Sequence, residues 1–406
     1  MADNPIPEEL KSDHLFLLIG GNPLPNWVAA RLLLRENGQL YLVHSNETRP
    51  IADKLIELFV GHGFKRPALV SVGDASDATK VYDAVSEKVK KINSRQIGFN
   101  YTGGTKVMAV HGLLAVKENA PPGGILPIYS YLDAQTLEMH FDHWGKPVPV
   151  QLNDRVRLTL DELLNIQFYK GWSWEKNKQP KRELEPVLWD AAQKLAALHK
   201  NDIDYDAWKK HLKDYRNKNE DLMKMSLKWS PPLAGLAKAI AQSEEIDITL
   251  QQLCEKDGCP FDKPTQLFNW LDGKWLEHYV LGILIDKKLK FSLNDWGQGF
   301  EIRVNGNKME IDVAAIRGYQ LHIFSCYKGD DKEVSKLKLF ESFMRAKQIG
   351  GEEACAALVC LSEEPELIEN DAKQTWQAHG RVKVFGRPQL HKLAEELDNW
   401  FCLPIS

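Results

Sequence analysis

The chain has 406 residues, 43% hydrophobic and 27% charged, enough for two or three domains with substantial cores. A formal net charge of -4 excludes indiscriminate coating of nucleic acid, and the lack of an apolar run of about 18 residues excludes a helical membrane span. Six cysteines are too few for a disulfide framework, and the acidic start MADNPIPEELKSD reads as neither a secretory signal nor a transit peptide, so a cytoplasmic protein is expected.

The first 150 residues alternate apolar strands with helical patterns, the signature of a parallel sheet with helices on both faces. Strands are expected at His14 to Gly21, Gln39 to Thr48, Pro67 to Asp74 and Gln96 to Tyr101, with a late strand at Ile125 to Asp133. Helices are expected near Trp27 to Arg35, Ile51 to Gly61 and Thr79 to Ile92. Ligands of such sheets sit at the carboxyl ends of the strands. Those ends read Gly20-Gly21-Asn22, Ser45-Asn46-Glu47-Thr48, Gly73-Asp74 and Asn100 to Lys106, which predicts one shared pocket.

The stretch FNYTGGTKVM, Phe99 to Met108, has the composition of a phosphate cradle. Gly103 and Gly104 permit backbone conformations closed to other residues and let main-chain N–H groups approach a ligand. Asn100, Thr102 and Thr105 add polar side chains, Lys106 adds a point charge, and the apolar helix that follows favours an anion at its N-terminus.

From about 151 to 265 long charged helical stretches, Leu184 to His199 and Asp206 to Lys228, replace the strands. The run WSWEKNKQPKRE sets Trp172 and Trp174 among Lys176, Lys178, Lys181 and Arg182. It reads as a solvated helix entrance whose tryptophans pack on a neighbouring domain, with base stacking as the other reading. Cys254 and Cys259 lack a second Cys or His pair, so no zinc site is expected there.

A second α/β unit begins near residue 266. It carries a helix at Phe268 to Ile285, strands at Gly299 to Val304, Met309 to Ile316, Gln320 to Cys326 and Ala354 to Leu361, and a charged helix at Lys332 to Gln348. A helix to about His379, the strand RVKVFG and a helix from Pro388 to Trp400 close the unit. Glu277 stands on an apolar helix face beside Val280 and Leu281, where a carboxylate must be paired, protonated or metal-bound. Strand alternation puts Glu310, Asp312 and Ala314 on one face. Two strand carboxylates and one from a helix suit a hard divalent cation, magnesium or manganese.

A helix carboxylate, then Asp on one strand, then a polar residue and Lys on the next, is the order of the PD-(D/E)xK nuclease core. The chain resembles the CRISPR-associated CARF nucleases of type III systems through Gly20 to Asn26, Val43 to Thr48, Asn100 to Met108, Gly273 to Glu277, Met309 to Val313, Ser325 to Gly329 and Ile349 to Gly351. The resemblance implies a Rossmann-like CARF ligand-sensing domain at 1–150, a helical connecting region at 151–265 and a restriction-endonuclease-like nuclease domain at 266–406. It implies a homodimer that encloses a cyclic oligoadenylate, cyclic tetra-adenylate ahead of cyclic hexa-adenylate, and cuts RNA or DNA in antiviral defence. Gly21, Asn22, Ser45, Thr48, Asn100, Thr102, Gly103, Gly104, Thr105 and Lys106 are the implied ligand residues. Glu277, Asp312 and the Cys326 carbonyl are the implied metal ligands, with Ser325 and Lys328 completing the catalytic set.

One departure from the family pattern concerns the lysine. The family spaces its polar residue and lysine two apart, whereas Tyr327 takes that position here and Lys328 falls one later. On a regular strand Lys328 points away from Ser325, so a bulge, or a strand end at Gly329, is expected to swing it back. Without that, the nuclease would be impaired or would use another cation, Lys336 or Lys338. Two other readings stay open: a ligand-responsive regulator with a degenerate nuclease domain, and a CARF domain that opens its own cyclic ligand.

Overall fold

The computed structural model describes residues 6–93, 96–121, 125–143, 146–152, 155–167, 172–175, 178–216, 224–226, 238–239, 248–304, 306–376, 378 and 380–402. Lys176, His379 and much of the expected helix from Asp206 to Lys228 lie outside these residues.

Seven strands form the first sheet: β1 (Ser12–Leu18), β2 (Leu34–Ser45), β3 (Ala68–Gly73), β4 (Ile97–Asn100), β5 (Ile128–Asp133), β6 (Glu138–His143) and β7 (Lys146–Gln151). Their order is β3-β2-β1-β4-β5-β6-β7, and β1 to β5 are all parallel. β1 is central, and its inner part Leu15–Leu18 reads as a continuous apolar run because both its faces are covered. The helices α1 (Leu24–Leu33), α2 (Arg49–Gly61), α3 (Ala78–Val89) and α4 (Lys106–Asn119) make the crossovers. The antiparallel pair β6 and β7 extends one edge beyond the all-parallel sheet expected.

Six strands form the second sheet in the order β13-β12-β11-β10-β9-β8. They are β8 (Trp172–Trp174), β9 (Leu293–Val304), β10 (Asn307–Arg317), β11 (Gln320–Tyr327), β12 (Cys355–Cys360) and β13 (Val382–Phe385). The WSW segment therefore opens a strand, not a helix. Trp174 packs edge-on against Phe300, 5.8 Å between ring centroids, and the aromatic pair holds β8 to the edge of β9.

Between the sheets, α5 (Leu160–Gln167) acts as a wedge. The Leu160 N–H donates to Asp295 Oδ2 at 2.8 Å and Gln167 Nε2 donates to Asn22 Oδ1 at 2.9 Å, so this short helix touches both halves. One hydrophobic core runs without a break from Leu15, Leu17 and Trp27 through Leu160 and Leu163 to Phe300, Ile323 and Phe343. A second core lies on the other face of the second sheet, where α6 (Pro186–Leu198), α7 (Asp202–Tyr215) and the helix Trp275–Lys287 pack on Val313, Phe324 and Val359. Among the described residues no helix is long and apolar enough to cross a membrane.

Candidate functional site

The strand exits of the first sheet converge through backbone contacts. Asn46 N–H donates to the Gly73 carbonyl at 2.9 Å, and Thr105 Oγ1 donates to the Ala75 carbonyl at 3.0 Å. The Gly103-Gly104 turn lies directly on the first exit. A Cβ on Gly103 would stand 2.2 Å from the Leu18 carbonyl oxygen, and one on Gly20 would stand 2.9 Å from Gly104 N. Gly104 also takes φ +76°, a conformation glycine adopts without cost.

Several expected ligand residues build this cradle from within. Asn100 is buried, and its Nδ2 donates to Ser130 Oγ at 3.1 Å. Thr102 Oγ1 accepts the Leu132 N–H at 2.7 Å. Ser45 and Thr48 close a turn on each other, Ser45 N–H donating to Thr48 Oγ1 at 3.0 Å. Thr105 caps α4 by accepting the Met108 N–H at 3.2 Å. Gly21, Gly104, Thr105 and Lys106 remain exposed at the mouth. Asn22 lies against the second domain, since a Cβ on Gly351 would meet its Nδ2 at 2.1 Å. The chemistry available at the mouth is that of an anion site: exposed N–H groups of a glycine turn, a helix N-terminus and one ammonium.

In the second sheet a π turn at Trp270–Lys274 leads into the helix Trp275–Lys287, which carries Glu277. The Glu277 carboxyl is pushed up to about 7 by burial and by the charges of Asp312 and Glu310, with Lys274 and Lys178 opposing. Asp312 is also raised by burial, but its Oδ2 accepts the Cys326 N–H at 2.8 Å and the Ser325 hydroxyl at 3.3 Å. The same neighbourhood pushes the Cys326 thiol well up, through desolvation first and then Asp312 and Glu277. Glu277, Asp312, Ser325 and Cys326 are therefore brought together. Ala314 is not. It joins the opposite core with Ile311, while Val313 takes the helix side. The face changes at Asp312, where Gly299 on the facing strand takes φ +62°.

Lys328 requires a correction. β11 pairs with β12 in unbroken register to Tyr327, so there is no bulge to re-aim the side chain. Its ammonium instead donates to Asp272 Oδ2, and Arg216 Nη2 holds Asp272 Oδ1 at 2.6 Å. Lys328 thus lines a separate cavity with Tyr205, Trp208 and Arg216. Lys336 is likewise engaged, by Asp371 at 2.8 Å, whereas Lys338 stands close enough to Asp312 to favour its charged form.

The cavity of about 250 Å³ over Glu277 contains residues the sequence did not single out for it: Lys178, Lys181, Lys274 and Gln298. His278 also lines it. Trp270 Nε1 donates to His278 Nδ1 at 3.0 Å, and burial holds the imidazole down at about 4, neutral with its proton on Nε2. Lys274 was findable three residues before Glu277 on one helix face. Lys181 was not, because a bridge to Gln298 far along the chain carries it there.

Among the described residues no three His, Cys, Asp or Glu side chains form a preassembled metal cluster. The donor set still fits magnesium or manganese, which bind through one or two carboxylates with water completing the shell. Glu277 and Asp312 are two acids raised by burial, Glu277 further by its acidic neighbours, a penalty that a bound divalent cation would relieve.

A Rossmann-like CARF domain joined to a restriction-endonuclease-like α/β domain is the architecture of the CARF nucleases, and this chain has that fold. Residues 265–403 match the family model of the Card1-like endonuclease domain. Two solved structures match over almost the whole length. Can2 from Sulfobacillus thermosulfidooxidans, determined in complex with cyclic tetra-adenylate, superposes with a TM-score of 0.70 at 16% identity, covering 98% of this chain and 99% of that one. Protein VC1899 from Vibrio cholerae superposes with a TM-score of 0.70 at 15% identity, covering 96% and 97%. No curated protein matches the sequence.

Proposed function

We propose that this chain is a cyclic tetra-adenylate-activated, metal-dependent nuclease of type III CRISPR antiviral defence, working as a homodimer in the cytoplasm on RNA or DNA. The observation that carries the reading is the half-buried Glu277 carboxyl with Asp312 as its acidic neighbour, inside the stretch that matches an endonuclease-domain family. The cyclic ligand would lie at the mouth formed by Gly21, Gly103, Gly104, Thr105 and Lys106, and its two-fold symmetry suits an isologous dimer. Asn22 lies between that mouth and Gly351, so closure around the ligand has a direct route to the second domain.

For cleavage, Glu277, Asp312 and the Cys326 carbonyl would hold magnesium or manganese, which when bound polarises the scissile phosphate and activates water. Asp312 is set for this by the Cys326 N–H and the Ser325 hydroxyl, which fix one of its oxygens and leave the other free. The test is purified protein with manganese, labelled RNA and DNA, and each cyclic oligoadenylate in turn. Cleavage is expected with cyclic tetra-adenylate and is expected to vanish in Asp312→Ala; equal cutting with and without every activator would overturn the gating. The engagement of Lys328 by Asp272 favours one second reading, a ligand-responsive regulator whose nuclease has decayed. Binding of activator with no cleavage under any metal would select it.

A further inference from the structure

A phosphodiester held over two carboxylates needs cations of its own, since bringing the anion to Glu277 and Asp312 otherwise adds repulsion. Lys328 does not provide one, because its ammonium is turned to Asp272 on the other side of the π turn. Two lysines from elsewhere do reach the place. We infer that Lys181 and Lys274 hold the scissile phosphate over Glu277, in the position that the strand lysine fills in the family pattern. This rests on the nuclease reading above.

Both residues line the Glu277 cavity. Both are exposed, and among the described residues neither forms an ion pair, whereas Lys178 is held by Glu301 at 3.2 Å and Lys336 by Asp371 at 2.8 Å. Their backbone positions are fixed, while among the described residues their ammonium groups form no ion pair. Lys274 closes the π turn one helical turn ahead of Glu277, so its side chain shares that face. Lys181 is fixed by two backbone bonds to Gln298, its N–H donating at 3.1 Å and its carbonyl accepting at 3.0 Å. A lysine is a mobile point charge that grips non-bridging oxygens without reading bases, so the contact is one to the backbone of the nucleic acid, independent of its sequence.

The test uses the full-length protein and a labelled single-stranded oligonucleotide, first in EDTA by fluorescence anisotropy and then with manganese and cyclic tetra-adenylate for cleavage. Metal-free affinity is expected to fall several-fold in Lys181→Ala and in Lys274→Ala, and roughly tenfold or more in the double variant. The slope of log affinity against log salt should become shallower by about one for each lysine removed. Lysine-to-arginine variants should restore most of the binding, with unfolding midpoints unchanged throughout. Lys328→Ala should bind as the parent does. If the double variant binds and cuts like the parent while Glu277→Gln is dead, the nuclease reading stands and the inference fails. Loss confined to Lys328→Ala or Lys338→Ala overturns it in favour of those residues. If Glu277→Gln itself cuts normally, the nuclease site is wrongly placed, whatever the lysines do.

Discussion

Glu277 sits where burial and two neighbouring acids oppose its charge, so its free energy depends on what cation comes to it. Glu277→Gln should reduce cleavage at least about a hundredfold, the scale of a lost transition-state contact. The same change should raise, not lower, the thermal midpoint of the metal-free protein at pH 8, because it removes a disfavoured charge. A drop in that midpoint would show the carboxylate to be structural. Glu353 gives a pH test free of the site. Its side chain is fully buried, and burial pushes its carboxyl from 4.5 up to about 7 against the opposing pull of Arg381. Between those values the folded chain keeps a proton that the unfolded chain releases, so stability falls as pH rises through this window and levels off above it. Glu353→Gln should therefore gain on the parent progressively from pH 4.5 to about 7 in denaturant titrations; a constant difference would refute the assignment. His322 works with the opposite sign, since burial lowers it from 6.5 to about 3 and stability is lost as pH falls below 6.5. At this scale the sequence singled out Glu277, Asp312 and the glycines by their chemistry; the structure makes the two acids neighbours and packs the glycine turn on the first strand exit. For Lys328 strand alternation already pointed the side chain away, and the expected rescue by a bulge or a strand end at Gly329 does not occur: β11 ends at Tyr327, yet the ammonium turns to Asp272.

Among the elements, strand exits and apolar periodicities were readable because each is local. The central strand carries the apolar run Leu15–Leu18, and α4 announces itself by Thr105 and the glycines before it. β8 was not readable: three residues of alternating Trp and Ser become a strand only because β9 offers them an edge. A separate bridge to β9, from Lys181 to Gln298, carries Lys181 to the cavity over Glu277, which explains why the connector looked like a solvated face. Two substitutions probe element packing. Gly103→Ala puts a methyl 2.2 Å from the Leu18 carbonyl oxygen, so the turn must move and cyclic tetra-adenylate affinity, read by calorimetry, should fall at least about tenfold. Gly282→Ala drives a Cβ to 2.1 Å from the Trp189 ring, where α6 crosses the Glu277 helix. Overpacking of that kind costs about 1–3 kcal/mol, measurable as a lower urea midpoint with an unchanged slope. No loss of stability would mean that Trp189 turns aside freely.

For the whole molecule, the decisive feature is the core that runs unbroken from β1 through α5 into the second sheet. Polar ties reinforce the junction: Leu158 N–H donates to the Gly318 carbonyl at 2.9 Å, and Arg182 Nε holds Asp295 Oδ1 at 2.8 Å. The full chain should unfold in one calorimetric transition, with tryptophan fluorescence and far-UV circular dichroism coincident. Two resolved peaks would mean that the halves fold independently. Modular sensors are often pictured as cartridges that can be exchanged at a linker. Here the seam is made of shared side chains, so a graft of another first domain would have to bring its own Leu160, Leu163 and Gln167 equivalents, or leave the second half with an unfilled floor.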